Sequence, residues 1–487
     1  MQVLYSRCCG LDVHQKTVVA CVMITQPNGK VDKSIRTFAT TTTTLLTLGD
    51  WLASLQVSHV AMESTGVFWR PIYNVLEDQF ELILANAHEI KALPGRKTDV
   101  RDCEWIADLL RHGLIRPSFI PAKPVRVLRD LMRYRKSLVY QHTQQINRLH
   151  KVLETASIKL TSVVSDVWGK SGQSMIKAII QGESDAQTLT ELARGTLRGK
   201  LPQVQEALEG RIQPHHRMLL QQIFAQLQFL ESSMQQVLKE IEAQMEPYQA
   251  VVELLMTHPG VQAVAAMGVV SEVGIDLSRF PSAKHFASWI GVCPGNHTSA
   301  GKRKHGKTTK GNAYLRALLA EIVWGISHTK DNYLSAKSHR LARRIGKTKA
   351  IVAVSHTVAV NFYHMITKRI PYRELGANYF DTVDRERLTK HTVKRLEALG
   401  YEVTLTPKDS KAVATPKLPP PPRSPQNSSA CAHSLARRIS PSAVTSSTAR
   451  RWSMARPCLR TIHPIPPPSI RPPTPTEAMS PEVSVSP

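Results

Sequence analysis

"RCCGLDVHQKTVVACVMIT", residues 7–25, decides how the chain begins to fold. Its two apolar runs, "RCCGLDVH" and "TVVACVMIT", carry Val, Cys and Ile and flank a short polar connection, so they read as two strands joined tightly. Asp12 lies inside the first run, where an unpaired carboxylate is costly. Downstream, "KSIRTFAT" reads as a third strand, "VSHVAMES" as a fourth and "FELILAN" as a fifth. A helix is predicted over 45–55 and another after Gly66, which gives an α/β order opening on a meander. From "DVRDCEWIADLLRHG" the pattern turns helical, with Cys103, Ile106 and Leu110 on one stripe and Gly113 as the C-terminal stop.

The whole chain has 487 residues and 42% hydrophobic content, enough for several buried cores. The boundaries expected are an α/β domain over 1–123, a long helical region over 124–250, a mainly helical domain over 251–405 and a tail over 406–487. Residues 411–487 hold 17 of the 31 prolines, ten Lys plus Arg and two acidic residues, a composition that predicts disorder. The tail carries +8 of the net +25 and the body +17, a charge that favours nucleic acid as partner over a membrane surface. The seven cysteines show no C-x-x-C spacing and read as reduced thiols without zinc. The uncharged stretch 350–367 is interrupted by His356, Asn361 and His364 and suits a core helix, so no membrane partner is expected. The start lacks the features of a signal peptide, and the expected location is the cytoplasm, at the nucleoid of a bacterium.

Within 124–250, Leu220, Ile223, Leu227, Leu230, Met234, Val237 and Ile241 alternate spacings of three and four. That is an a/d seam of about three heptads, read as a coiled coil or long helical hairpin, or as an amphipathic helix on its own domain. "RVLRDLMRYRKSLVYQHTQQINRLHK" interleaves Arg126, Arg129, Arg133, Arg135, Lys136, Arg148 and Lys151 with tyrosines. It reads as a helix tracking an RNA or DNA backbone, or as a solvated charged face.

Phosphodiester chemistry needs charge to offset the phosphate, and clustered carboxylates holding two metal ions about 4 Å apart are the usual solution. Asp12 is one candidate and Glu63, which ends the apolar run "VAMES", is another. Asp99 and Asp102 in "KTDVRDCEW" are three apart at a helix start and share a face. Taken singly, Asp99 is equally a helix cap and Asp102 a first-turn residue favoured by the dipole. As a set, an acid on strand one, an acid on strand four and a pair on a later helix make the layout of a ribonuclease H-like core. Mg²⁺ suits such an all-oxygen site.

"SAGKRKHGKT", residues 299–308, satisfies the P-loop pattern G-x-x-x-x-G-K-T from Gly301. A P-loop needs a strand leading in, a helix directly after Lys-Thr and a later strand ending in Asp, whereas "CPGNHTSA" reads as a loop, "KTTKGN" delays the next helix to about Asn312, and no apolar strand ending in Asp follows. Lys302, Arg303, Lys304 and His305, with Lys307 and Lys310, instead make an electropositive hairpin suited to a nucleic-acid backbone. "MTHPGVQAVAAMGVVSEVG", residues 256–274, resembles a helix-hairpin-helix or an ordinary helix-helix turn.

Together, "GLDVHQK", "VAMESTGVFWRPIYNVLE", "NAHEIKALPGRKTDVRDCEWIADLLRHG" and "SRFPSAKHFASWIGVCPGNHTSAGKRKHGKTTKGNAYLRALL" resemble the insertion sequence 110 family of transposases, over residues 7–405. The resemblance implies an N-terminal DEDD domain of the RuvC-like, Holliday-junction-resolvase type, in which Asp12, Glu63, Asp99 and Asp102 hold the metals. It also implies a C-terminal transposase domain whose "HTSAGK" motif supplies Ser299 as nucleophile, forming a phosphoserine link to DNA. An element-encoded bridge RNA pairing with donor and target, DNA partners at the element ends and the target, and a homo-oligomer, dimer or tetramer, are implied in the same way. The rival readings are a junction-resolving endonuclease that uses metal-bound water and a non-catalytic nucleic-acid-binding protein.

Overall fold

Strand β1 (Arg7–Val13) sorts its side chains by alternation: Cys9, Leu11 and Val13 enter one apolar core and Cys8 enters another on the opposite face. β2 (Thr17–Thr25) and β3 (Val31–Ala39) follow as antiparallel neighbours, with β2 in register on β1 from Arg7↔Ile24 to Val13↔Val18. The chain crosses through α1 (Thr42–Ser54) to β4 (His59–Glu63), parallel to β1, and through α2 (Trp69–Leu76) to β5 (Glu81–Ala85), parallel to β4. Parallel neighbours require such crossovers. The five-stranded order is β3-β2-β1-β4-β5, a mixed sheet of the ribonuclease H type.

The computed structural model describes residues 2–64, 66–86, 90, 102–295, 297–299, 302–383 and 385–405. Asp99 and the tail from 406 lie outside these. By backbone contact the chain divides into two units, one of Met1–Asp130, Pro247–Thr329 and Lys337–Arg373, the other of Leu131–Glu246, Lys330–Ala336 and the residues from Glu374 on.

In the first unit, α1 and α2 bury Leu45, Leu48, Leu52, Ile72 and Leu76 against Leu11, Val60 and Met62. On the other face, α3 (Asp102–Arg111) sets Cys103, Ile106, Ala107 and Leu110 against Cys8, Cys21 and Ala61. This helix seats closely because Gly10 has no side chain: a Cβ there would lie 2.3 Å from the Cys103 carbonyl oxygen and 2.4 Å from the Ala107 nitrogen. Cys21 faces Gly10 across the ladder. A hydrogen bond with Cys103, added to burial, pushes the Cys21 thiol pKa up, and burial pushes that of Cys8 up to about 12. All the cysteines of this domain are free thiols.

Helix α4 (Lys123–Thr155) starts in the first unit, where Arg126 donates to both Glu77 oxygens at 2.6 and 2.8 Å and Arg70 reaches Asp130 at 3.1 Å. Within the second unit lie α5 (Lys170–Ile180), α6 (Ala186–Glu191), α7 (Leu201–Leu208) and α8 (Pro214–Met245). Leu149 and Leu153 of α4 share a core with Ile176, Ile179, Leu220, Ile223 and Leu227. Glu231 meets His142 of α4 at 3.7 Å and accepts from the Trp168 indole at 2.8 Å. Along the seam of α8, Leu220, Ile223, Leu227, Leu230 and Ile241 are buried, whereas Met234 and Val237 are half-buried.

The first unit resumes with α9 (Gln249–Met256), α10 (Ala263–Val273) and α11 (Ala283–Ile290), a two-stranded hairpin of β6 (His297–Ser299) and β7 (Lys302–His305), and α12 (Ala313–Ser327). α13 (Tyr333–Ile345) and α14 (Lys347–Lys368) follow. In the α9–α10 turn Gly260 has φ 75°, and a Cβ there would lie 2.5 Å from Ile326 of α12. The Val261 N–H of that turn donates to the His258 carbonyl at 3.2 Å. Among the described residues α14 is the one helix long and apolar enough to cross a membrane; it buries Val354, Val358, Phe362 and Met365 inside the unit.

Candidate catalytic site

Two of the four acids predicted as metal ligands come together through strand register. β1 and β4 are parallel with Leu11 opposite Met62, so Asp12 and Glu63 stand abreast at the carboxyl ends of neighbouring strands, which are spaced about 4.8 Å apart. By alternation Asp12 follows Cys8 and Gly10, and Glu63 follows Ala61, onto the face covered by α3. Asp102 opens α3 on that same face, and the Asp12 charge is felt at the Cys103 thiol beside it. Asp12 retains 28% side-chain exposure and its Oδ2 lies 3.1 Å from His14 Nε2. Among the described residues, no three His, Cys, Asp or Glu side chains close into a group that could hold a metal. The register thus sets Asp12 beside Glu63 at adjacent strand ends, and Asp102 is the first residue of the helix that covers their face, but among the described residues the three do not close into one group; Asp99 lies outside the described residues. Carboxylate oxygens are the hard donors that a Mg²⁺-like cation takes.

Ser299 is the last residue of β6 and pairs with Lys302 at the start of β7. The hairpin base is closed by the Pro294↔Thr308 bridge and by the Gly295 N–H donating to the Lys307 carbonyl at 2.9 Å. Positions 302–305 of the P-loop pattern are thus a β-strand, and the next helix waits until Ala313. Lys307 and Lys310 are exposed on the segment between them.

The root of this hairpin is fixed by residues that sequence reasoning did not single out. Gly311 crosses the end of α11 so closely that a Cβ would lie 2.4 Å from the Ile290 carbonyl carbon. Asn312 then caps α12, accepting from the Tyr314 and Leu315 N–H groups at 3.1 and 3.0 Å, while its amide donates to buried Glu272 at 2.7 Å. Arg129 of α4 donates to the Glu272 backbone carbonyl and lies 3.4 Å from its Oε2, so this arginine is turned inward. A lone acid in the apolar run "AVAAMGVVSEVG" was the available signal for Glu272, and an Asn just before "AYLRALL" the signal for the cap. Replacing Asn312 with Ala removes the cap and a charge-assisted hydrogen bond. The expected loss is about 2 kcal/mol, read as a lowered denaturant midpoint at unchanged slope.

Of the other cations predicted to meet nucleic acid, Arg133, Arg135 and Lys136 are half-buried on α4, and burial pulls the Arg135 pKa down.

The chain is similar to known transposases. Residues 9–158 match the DEDD transposases of the IS110 type, and residues 252–340 match the transposase IS116/IS110/IS902 family. The "Probable family 20 transposase" of Pseudomonas aeruginosa is 24% identical over 330 residues, 66% of this chain and 88% of that protein. "Putative transposase y4qE" of Sinorhizobium fredii is 25% identical over 285 residues, 55% of each chain. "Putative transposase y4pF/y4sB" of the same organism is 23% identical over 309 residues, 60% of this chain and 70% of its own. The DEDD domain points to divalent metal, and transposases cut and rejoin DNA. With the first matched segment holding the five-stranded sheet and the second running from α9 through the β6–β7 hairpin into α13, the chain belongs to the IS110 family of transposases.

Proposed function

We propose that this transposase moves its insertion element by a serine-linked transesterification. The carrying observation is the pairing of Asp12 with Glu63 at adjacent strand ends under the helix that Asp102 opens. In this reading Asp12, Glu63, Asp99 and Asp102 hold Mg²⁺. Bound there, the metal would supply positive charge to the attacking and leaving oxygens. The Ser299 hydroxyl loses its proton as its oxygen bonds to phosphorus, and the displaced strand-end oxygen takes up a proton. Lys302, Arg303, Lys304, Lys307 and Lys310 neutralise the phosphate as charge develops. Arg133, Arg135 and Lys136 line a second contact with nucleic acid, and Arg129 serves by holding Glu272 in place. The protein is guided by a bridge RNA and acts as a homo-oligomer joined through the helical region.

The test is an SDS-resistant protein–DNA adduct on nicked element-end DNA with the co-purifying RNA. Wild type with Mg²⁺ is expected to form it, and neither chelated wild type nor Ser299→Ala does. An adduct from Ser299→Ala excludes this nucleophile, and cleavage by wild type without any adduct points to water.

A further inference from the structure

Between Asp331 and Glu374 the sequence holds no acidic residue and nine Lys and Arg. Five of these cations fall in ten residues, "RLARRIGKTK" from Arg340 to Lys349, and the structure exposes all five. Arg340, Arg343 and Arg344 stand on α13 at spacings of three and four and so share one helical face. Lys347 and Lys349 continue the cluster across Gly346 into the first turn of α14. Arg343, Arg344, Lys347 and Lys349 have no ion-pair partner among the described residues. The cluster is presented rigidly, because the Lys337 amine donates to the Thr357 hydroxyl of α14 at 2.9 Å and Ser338 is buried.

We propose that this face is a docking surface for the phosphate backbone of duplex DNA, separate from the catalytic hairpin. Four residues of helix rise about 6 Å, close to the rise over two phosphates of one strand at about 3.4 Å each. The stretch 337–349 contains no Phe, Tyr or Trp, the platforms on which single strands stack. It also holds no Asn or Gln to read adenine edges, so the contact positions DNA without choosing its sequence. This inference needs only that the protein acts on DNA and is independent of the serine and metal chemistry.

The test measures affinity of the full chain for an unrelated 30-bp duplex across a salt series. Each phosphate contact contributes about 0.9 to the slope of log K against log salt. R343Q/R344Q and K347Q/K349Q are each expected to lower the slope by about 1.8, and the combined variant by about 3.6. The control K170Q/K177Q/K200Q/K239Q, of equal net charge, is expected to keep the wild-type slope. Circular dichroism confirms that each variant is folded, as exposed positions lead one to expect. At low salt and saturating DNA the variants should still cleave at the wild-type rate. Equal slopes in the combined variant and the control overturn the proposal, and so does a loss confined to RNA or to single strands.

Discussion

Asp12→Asn is expected to cut strand cleavage by a factor on the order of 10³ while the protein melts no lower than wild type. The two side chains have the same shape, so packing around the end of β1 is undisturbed. What disappears is one of two carboxylates held abreast by the Leu11↔Met62 register. A site that offsets charge at the attacking and leaving oxygens loses several kcal/mol when a metal ligand is neutralised. The folded protein loses nothing comparable, because Asp12 sits beside another acid, and its contact with His14 is exposed. Single-turnover cleavage of nicked DNA with a parallel thermal melt reads both effects. Activity within tenfold of wild type would remove Asp12 from the site.

Gly10→Ala tests the same site through packing. The added methyl carbon would lie 2.3 and 2.4 Å from backbone atoms of Cys103 and Ala107, which cannot rotate away as a side-chain tip can. Either α3 lifts or β1 bends, and overpacking of this kind costs about 3 kcal/mol. Asp102 travels with α3, so cleavage is expected to fall with stability, beyond what the unfolded fraction explains. Gly325→Ala is the control, since a Cβ in that helix interior meets nothing within 4 Å. It is expected to be neutral or to stabilise by up to about 1 kcal/mol. A Gly10→Ala protein that melts like wild type would mean that α3 is not seated as described.

The sheet was legible because its strands alternate or run apolar between polar turns. "TVVACVMIT" is a strand over its full predicted length, and the "KSIRTFAT" strand starts two residues earlier than read, at Val31. Strand order was legible only by analogy, since nothing within "VAMES" says that it lies beside "GLDVH" rather than at an edge. The acids were visible as single residues, yet their adjacency depends on a parallel register set by crossovers elsewhere in the chain. Periodicity likewise exposed the seam of α8 without naming what fills it; within this chain its upper half is filled by α4 and α5. Arg129 looked like its basic neighbours in sequence. The long-range approach of Glu272 shows it turned inward, as that of Glu77 does for Arg126.

The seating of α3 on Gly10 also bears on when the protein becomes competent during its own synthesis. β1, β2 and β3 are sequential hairpin partners and can pair as soon as they emerge, whereas β4 must close a longer loop to reach β1. Asp102 arrives ninety positions after Asp12 and joins its face only when α3 docks. A nascent chain at roughly 5–20 residues per second therefore spends seconds with a formed meander and an incomplete set of acids. On the site proposed above, the cutting power would be a late product of folding, because Asp102 joins the Asp12 face only when α3 docks.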